Sequence, residues 1–235
     1  MADFADGLSH AIKLIIGFDK DLIAIIGMSL KVSISSVLIS CIIGFPIGAS
    51  LALSRFKGRN FLLVLLNSFM GLPPVVVGLI VFLLLSRTGP FGVLGLLFTP
   101  TAMIIAQTIL ITPIIAALTR QTIEDLWNEY REYLKSLDSK IIDTIRTLLW
   151  DARFSLVIIV LAGFGRAIAE VGAVMIVGGN IDNITRVMTT AIALETSKGN
   201  LSVALGLGIT LLLIAFAVNG VSQFISSVLS KRTML

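Results

Sequence analysis

The chain has 235 residues, 56% of them hydrophobic and only 14% charged, with a mean hydropathy of +1.01. Soluble domains carry about 25% charged residues, so this composition excludes an ordinary water-soluble globule and points to one integral membrane domain. The net charge of +4 is better explained by orientation in a membrane than by a nucleic-acid partner, and the single cysteine, Cys41, excludes an intrachain disulfide.

Residues 1–24 open the chain with Phe4, Leu8, Ile12 and Ile15 at helical spacing, which predicts an interfacial helix on the membrane surface. The first cation is Lys13 and no basic n-region or cleavage site precedes it, so a removable signal peptide is not expected. The remainder, 25–230, reads as one transmembrane domain. Five runs are long enough to cross hydrocarbon, where each backbone polar group must be satisfied within the helix: about 25–53, 61–85, 99–119, 154–178 and 201–229.

The first run carries Ser29, Ser33, Ser36 and Ser40 on one face, with Gly44, Pro46 and Gly48 predicting a kink further along. Hydroxyls at Ser33 and Ser36 suit an anion route; small residues equally let helices approach, and both readings stand. Gln107, Thr108 and Thr112 on the third run are open to the same pair of readings. Pro73 and Pro74 predict a kink in the second.

Residues 120–153 then form a polar island that holds 13 of the 32 charged residues. Within it Leu126, Tyr130, Tyr133, Leu134 and Leu137 share one helical face, and Glu129, Arg131, Glu132 and Lys135 occupy the other. A short helix over 126–137 presenting Tyr133, Leu134 and Leu137 can fill a partner's groove; lying on the bilayer or on the chain's own helices is the alternative. In the fourth run Arg166 and Glu170 stand one turn apart, either offering a cation to an anion with the carboxylate limiting its grip, or locking helix packing. Gly178-Gly179 is read as the hinge of a short helix over 178–192 that dips back toward the membrane. It would bring Arg186 beside Thr185, Thr189 and Thr190, a setting fit for an incoming dianion or simply a solvated loop. The last run ends at Lys231 and Arg232.

With the N-terminus outside and the C-terminus inside, 11 cations fall on the inner side, five on the outer and two within spans. The positive-inside rule favours that orientation and puts 120–153 in the cytoplasm. No internal repeat is present, so a homodimer is the economical way to build a pathway from so few helices. The chain has no GxxxxGK[ST] loop, no GxSxG and no HExxH, so ATP hydrolysis falls to another polypeptide and neither a metal nor a cofactor is expected. An intramembrane enzyme would need a second acid or a nucleophile–base pair at membrane depth, and a passive channel would have no use for a docking loop.

The loop sequence EYLKSLD followed by LLWD resembles the cytoplasmic motif of binding-protein-dependent ABC importers. Glu132 stands at its Glu, Tyr133 and Leu134 at its two Ala, Asp138 at its Gly, Leu148 at its Ile and Trp150-Asp151 at its Leu-Pro. The runs 71–92, 96–107 and 165–200 are similar to tungstate-type importer permeases, relatives of the molybdate and sulfate permeases; Ala169 and Val171 within Arg166–Gly172 point to the tungstate branch. The resemblance implies an all-α type I importer fold in a prokaryotic inner membrane. It also implies a homodimeric pathway for an oxyanion (tungstate, with molybdate or sulfate as the alternatives), two cytoplasmic ATP-binding subunits and an extracytoplasmic oxyanion-binding protein. Glu129, Tyr130, Glu132, Tyr133, Leu134, Leu137 and Asp138 would couple to the ATPase, while Arg166, Glu170, Arg186, Ser33 and Ser36 would line the route.

Overall fold

The computed structural model describes residue 17 and residues 19–136 and 141–232. In order these form helices α1 (Lys20–Leu53), α2 (Arg59–Met70), α3 (Pro74–Leu85), a 3-10 turn (Gly92–Leu94), α4 (Pro100–Ser136), α5 (Ile141–Asp151), α6 (Arg153–Ile168), α7 (Gly172–Gly178), α8 (Met188–Lys198) and α9 (Leu201–Arg232). Among the described residues there is no strand, as expected of an all-α membrane chain. The interfacial helix expected over residues 1–24 lies outside the described residues up to residue 16, and so do Leu137 and Asp138.

Among the described residues three helices, α1, α4 and α9, are by themselves long and apolar enough to cross a membrane. Counting the broken pairs α2 with α3 and α5 with α6 as single spans raises the number to five.

Four expectations are corrected. The run 61–85 is not one kinked helix but two of 12 residues, each about 18 Å long at roughly 1.5 Å per residue. Pro73 is extended (φ −64°, ψ 120°) and Pro74 opens α3, so two missing N–H groups and the restriction on Leu72 end one helix and start the next. The run 154–178 likewise stops at Ile168 and resumes at Gly172. The helix expected over 126–137 is the continuation of α4, which runs unbroken for 37 residues; no Gly or Pro stands between Pro113 and Ser136 to stop it. Finally, 178–192 is not one helix, since after Gly178 only its last residues, from Met188, are helical. Gly179 (φ +70°) ends α7, and Asn180 and Asn183 also take left-handed φ of 50° and 56° in the turn before α8, so Arg186 sits in a loop.

The chain divides into two compact units: one of residues up to Ser36, Pro73–Gln107 and Gly165–Val218, the other of Val37–Leu72, Thr108–Phe164 and Asn219 onward. In the first, a side chain at Gly78 would meet the Ala173 Cα at 2.8 Å, so α3 and α7 touch backbone to backbone. Phe98 donates its N–H to Val177 O at 3.0 Å and sets its ring edge-on to Phe82, 6.1 Å between centroids. In the second, a Cβ at Gly48 would lie 2.4 Å from Ala116 O, which brings α1 against α4. Helices in lipid associate through this kind of close packing rather than through the hydrophobic effect. Alanine at Gly48 is therefore expected to lower the melting temperature of the detergent-solubilised protein by several degrees, since overpacking costs about 1–3 kcal/mol. Gly27→Ala, which meets nothing within 4 Å, should leave it unchanged; equal melting curves for the two variants would contradict the packing.

Candidate functional site

The charged group at membrane depth is built where α6 gives way to α7. Glu170 occupies the three-residue break, buried at 4% exposure. Its Oε2 accepts from Arg166 Nη1 at 2.5 Å, and its Oε1 accepts from the Ala173 N–H at 3.2 Å. One carboxylate thus neutralises a cation and caps the next helix, which has no side-chain acceptor at its own N-cap. Two neighbours donate to carbonyls at the break, one of which, Ala167 O, also accepts the Glu170 N–H at 3.2 Å. Gln107 on α4 donates Nε2–H to Ala167 O at 3.0 Å, and Thr189 on α8 donates to Glu170 O at 2.8 Å.

The serine face of α1 belongs to the same network. Ser36 Oγ lies 2.8 Å from Gln107 Oε1 and 2.9 Å from Ser33 O, sharing its single proton between them. Ser33 and Glu170 line one small cavity of about 10 Å³ with Gln107 and Thr189, room for little more than a water. Ser29 donates to Ile25 O at 2.8 Å and accepts from the Met188 N–H at 2.7 Å, capping α8 from 159 residues away. The structure thus brings Ser33, Ser36, Arg166 and Glu170 into one polar cluster of the first unit.

Within that cluster the guanidinium is the part that meets the outside: the Arg166 side chain is 37% exposed. Only Nη1 is tied to Glu170, and a guanidinium carries five N–H donors in a fixed fork. An exposed, oriented guanidinium with spare donors is the group that an oxyanion accepts hydrogen bonds from. No cluster of three or more metal-ligating side chains occurs among the described residues.

Arg186 lies apart from this cluster. It pairs with Asp182 at 2.9 Å and borders a cavity of about 280 Å³ together with Asp19, Asp21 and Glu195. Thr185 and Thr190 shape its loop: Thr185 Oγ1 donates to Gly178 O at 2.6 Å, and Thr190 Oγ1 bonds Asn180 Oδ1 at 2.9 Å. Hydrogen bonds from Lys198 and Asn200 hold the Glu195 carboxyl below the usual carboxylate range, with the charges of Lys198 and Arg186 adding to the effect.

The model of the binding-protein-dependent transport system inner membrane component family matches residues 44–234. The chain belongs to that family. It is 40% identical to the tungstate uptake system permease protein TupB of Peptoclostridium acidaminophilum over 94% of this chain and 97% of that one. It is 39% identical to TupB of Campylobacter jejuni over 93% and 91%. A chain of the inward-facing MetNI methionine ABC transporter shares the fold at 17% identity, with a TM-score of 0.69 over 89% of this chain and 98% of that one.

A permease of this transport family sits in the inner membrane and is not itself an enzyme; it works with separate ATP-binding subunits and a substrate-binding protein. At the end of α4 the outward side chains are Glu129, Glu132 and Tyr133, the last 66% exposed, with Tyr130 half-buried. Leu134 is buried, so it is not presented beside Tyr133 as the helical face suggested. Sequence reading missed three features: Gln107 as a bridge, Ser29 and Thr189 as satisfiers of helix ends, and the cluster of Arg59 and Arg120 on Glu124. Their signal, polar residues inside apolar runs, was present, but their partners are remote in sequence.

Because Glu195 is held ionised by donors present only in the fold, its contribution to stability is full above the ordinary carboxylate range and disappears as pH falls through its lowered value. Glu195→Gln should melt a few degrees below the parent permease at neutral pH, and the gap should close on acidification. A gap independent of pH would contradict that linkage.

Proposed function

We propose that this chain is the tungstate-translocating permease of an ATP-driven importer. Two copies enclose the pathway, two ATP-binding subunits grip the cytoplasmic ends of α4, and an extracytoplasmic binding protein delivers the oxyanion. The observation that carries the cargo is similarity, over nearly the whole chain, to permeases named for tungstate uptake. The excess of cations flanking the inner ends of the spans supports an N-out, C-in orientation for a domain over 25–230, with residues 1–24 as its surface segment.

In this reading the Arg166 guanidinium meets the dianion in transit, Glu170 aims it and offsets its charge, and Ser33 and Ser36 belong to the supporting wall. Arg186 stands at the outer opening. Glu129, Tyr130, Glu132, Tyr133, Leu137 and Asp138 mark the coupling end, where nucleotide-driven closure of the ATP-binding subunits draws the two permeases between outward-open and inward-open forms. Burying one aromatic or aliphatic side chain in the partner's groove is worth about 1.5–3 kcal/mol, enough for a grip that survives each cycle.

Two measurements test this. In proteoliposomes holding the whole transporter, Arg166→Ala should cut ATP-dependent tungstate uptake at least tenfold while the subunits still co-purify, and Arg166→Lys should retain part of it. Uptake unchanged in the alanine variant would remove Arg166 from the pathway. Replacing Tyr133 by Asp, together with Glu132→Lys, should abolish co-purification with the ATP-binding subunits without preventing membrane insertion; retained binding would contradict the coupling role.

A further inference from the structure

The second unit holds a basic cavity that the transport reading leaves without a task. The loop after α1 turns at Gly58, whose φ of +99° a side chain would resist. The turn folds Arg55, Lys57, Arg59 and Asn60 over the face of α4 at Trp127 and Asn128, enclosing about 470 Å³. That volume lies within the roughly 300–1,000 Å³ of small-molecule sites.

Charge in this cavity is unbalanced. Glu124 is the sole carboxylate among its lining residues, and two arginines already claim it: Arg59 Nη2 at 3.0 Å and Arg120 Nη1. Arg59 is further fixed by donating Nε–H to Leu51 O at 3.0 Å. Arg55 and Lys57 make no ion pair among the described residues. The walls therefore carry three cations against one matched acid, with the Asn60 and Asn128 amides as neutral donors. Cations that served only to orient the chain in the membrane could lie on open surface. Arg55 and Lys57 are exposed, but Arg59 is buried to a fifth of its exposure and braced on both sides, its geometry set before any ligand arrives.

We infer that this cavity binds a tetrahedral oxyanion of phosphate-like size and charge, on the cytoplasmic side if the proposed orientation holds. One fixed guanidinium fork at Arg59, the guanidinium of Arg55 and the ammonium of Lys57 are a donor set such an anion takes. Two sources offer that chemistry: a free oxyanion in the cytosol, the delivered cargo included, or the phosphate of an anionic lipid, which basic pockets beside transmembrane helices also capture.

The chain has two tryptophans. Trp150 is 70% exposed, so Trp150→Phe leaves Trp127 as the reporter inside the cavity. The full-length permease with that change, in phosphatidylcholine nanodiscs, is titrated with sodium tungstate and with inorganic phosphate at constant ionic strength. It is also titrated in nanodiscs containing phosphatidylglycerol. Saturable change of Trp127 emission with either anion identifies a free-anion site. A shift on adding phosphatidylglycerol, with no further response to free anion, identifies a lipid phosphate. In both cases Arg55→Gln with Lys57→Gln, at two exposed positions, should weaken the response at least tenfold, and Arg55→Lys should restore part of it. No response to anion or lipid, or one that the double variant leaves intact, overturns the inference. ATP-driven uptake measured separately distinguishes the two readings: its absence in the parent transporter would sink the cargo assignment without moving the Trp127 titration, and a silent Trp127 would sink this site without touching uptake.

Discussion

A helix interrupted inside an apolar layer must find partners for the backbone groups it releases, because lipid offers none. In this permease the interruption at residues 169–171 is held by side chains that reach in from elsewhere in the chain. Gln107 adds a donor to Ala167 O, which also accepts the Glu170 N–H, Thr189 satisfies Glu170 O, and the Glu170 carboxylate accepts the Ala173 N–H of the following helix. Each such group left unpaired would cost about 1–3 kcal/mol. Thr189 and the Glu170 carboxylate remove that cost for the Glu170 carbonyl and the Ala173 N–H.

Glu170 has a second duty that explains why a charge is used where a neutral acceptor would cap as well. A lone carboxylate at membrane depth costs at least about 2.5–3.5 kcal/mol on insertion scales, and so does a lone guanidinium. Placed one turn apart they offset each other, and the pair turns Arg166 so that its guanidinium stays partly exposed. A structural necessity, closing a broken helix, thereby fixes the direction of the cation proposed to meet the oxyanion. The packing reading and the proposed pathway reading of this pair, opposed when only their spacing is known, are compatible in one interaction.

How much of this was legible depended on the range of the forces involved. Run lengths of apolar residues identified the spans of α1, α4 and α9, and the i, i+4 spacing of Arg166 and Glu170 announced their contact. The double proline at 73–74 signalled trouble in the second run, though a complete break was needed where a kink was expected. The break before Gly172 left no local mark: Ala169 and Val171 are apolar, and no proline stands there. Gln107 and Thr189, which the fold brings to it, donate to its carbonyls from positions remote in sequence. The continuation of α4 to Ser136 erred the other way. The change from apolar to polar composition was mistaken for an end of the helix, and backbone propensity is indifferent to that change. Burial of Leu134 beside exposed Tyr133 was likewise beyond a helical wheel, which shows a face and not what covers it.

The orientation of Arg166 is most open to direct check through cysteine accessibility. Cys41 is the single cysteine, so Cys41→Ser gives a background in which Arg166→Cys and Ile34→Cys can be compared; Ile34 is 46% exposed on an apolar helix. In the assembled transporter a water-soluble, membrane-impermeant thiol reagent should modify position 166 and spare position 34. If position 166 is as unreactive as position 34, its side chain faces lipid or protein rather than an aqueous route, and the pathway built on the Arg166–Glu170 pair is wrong.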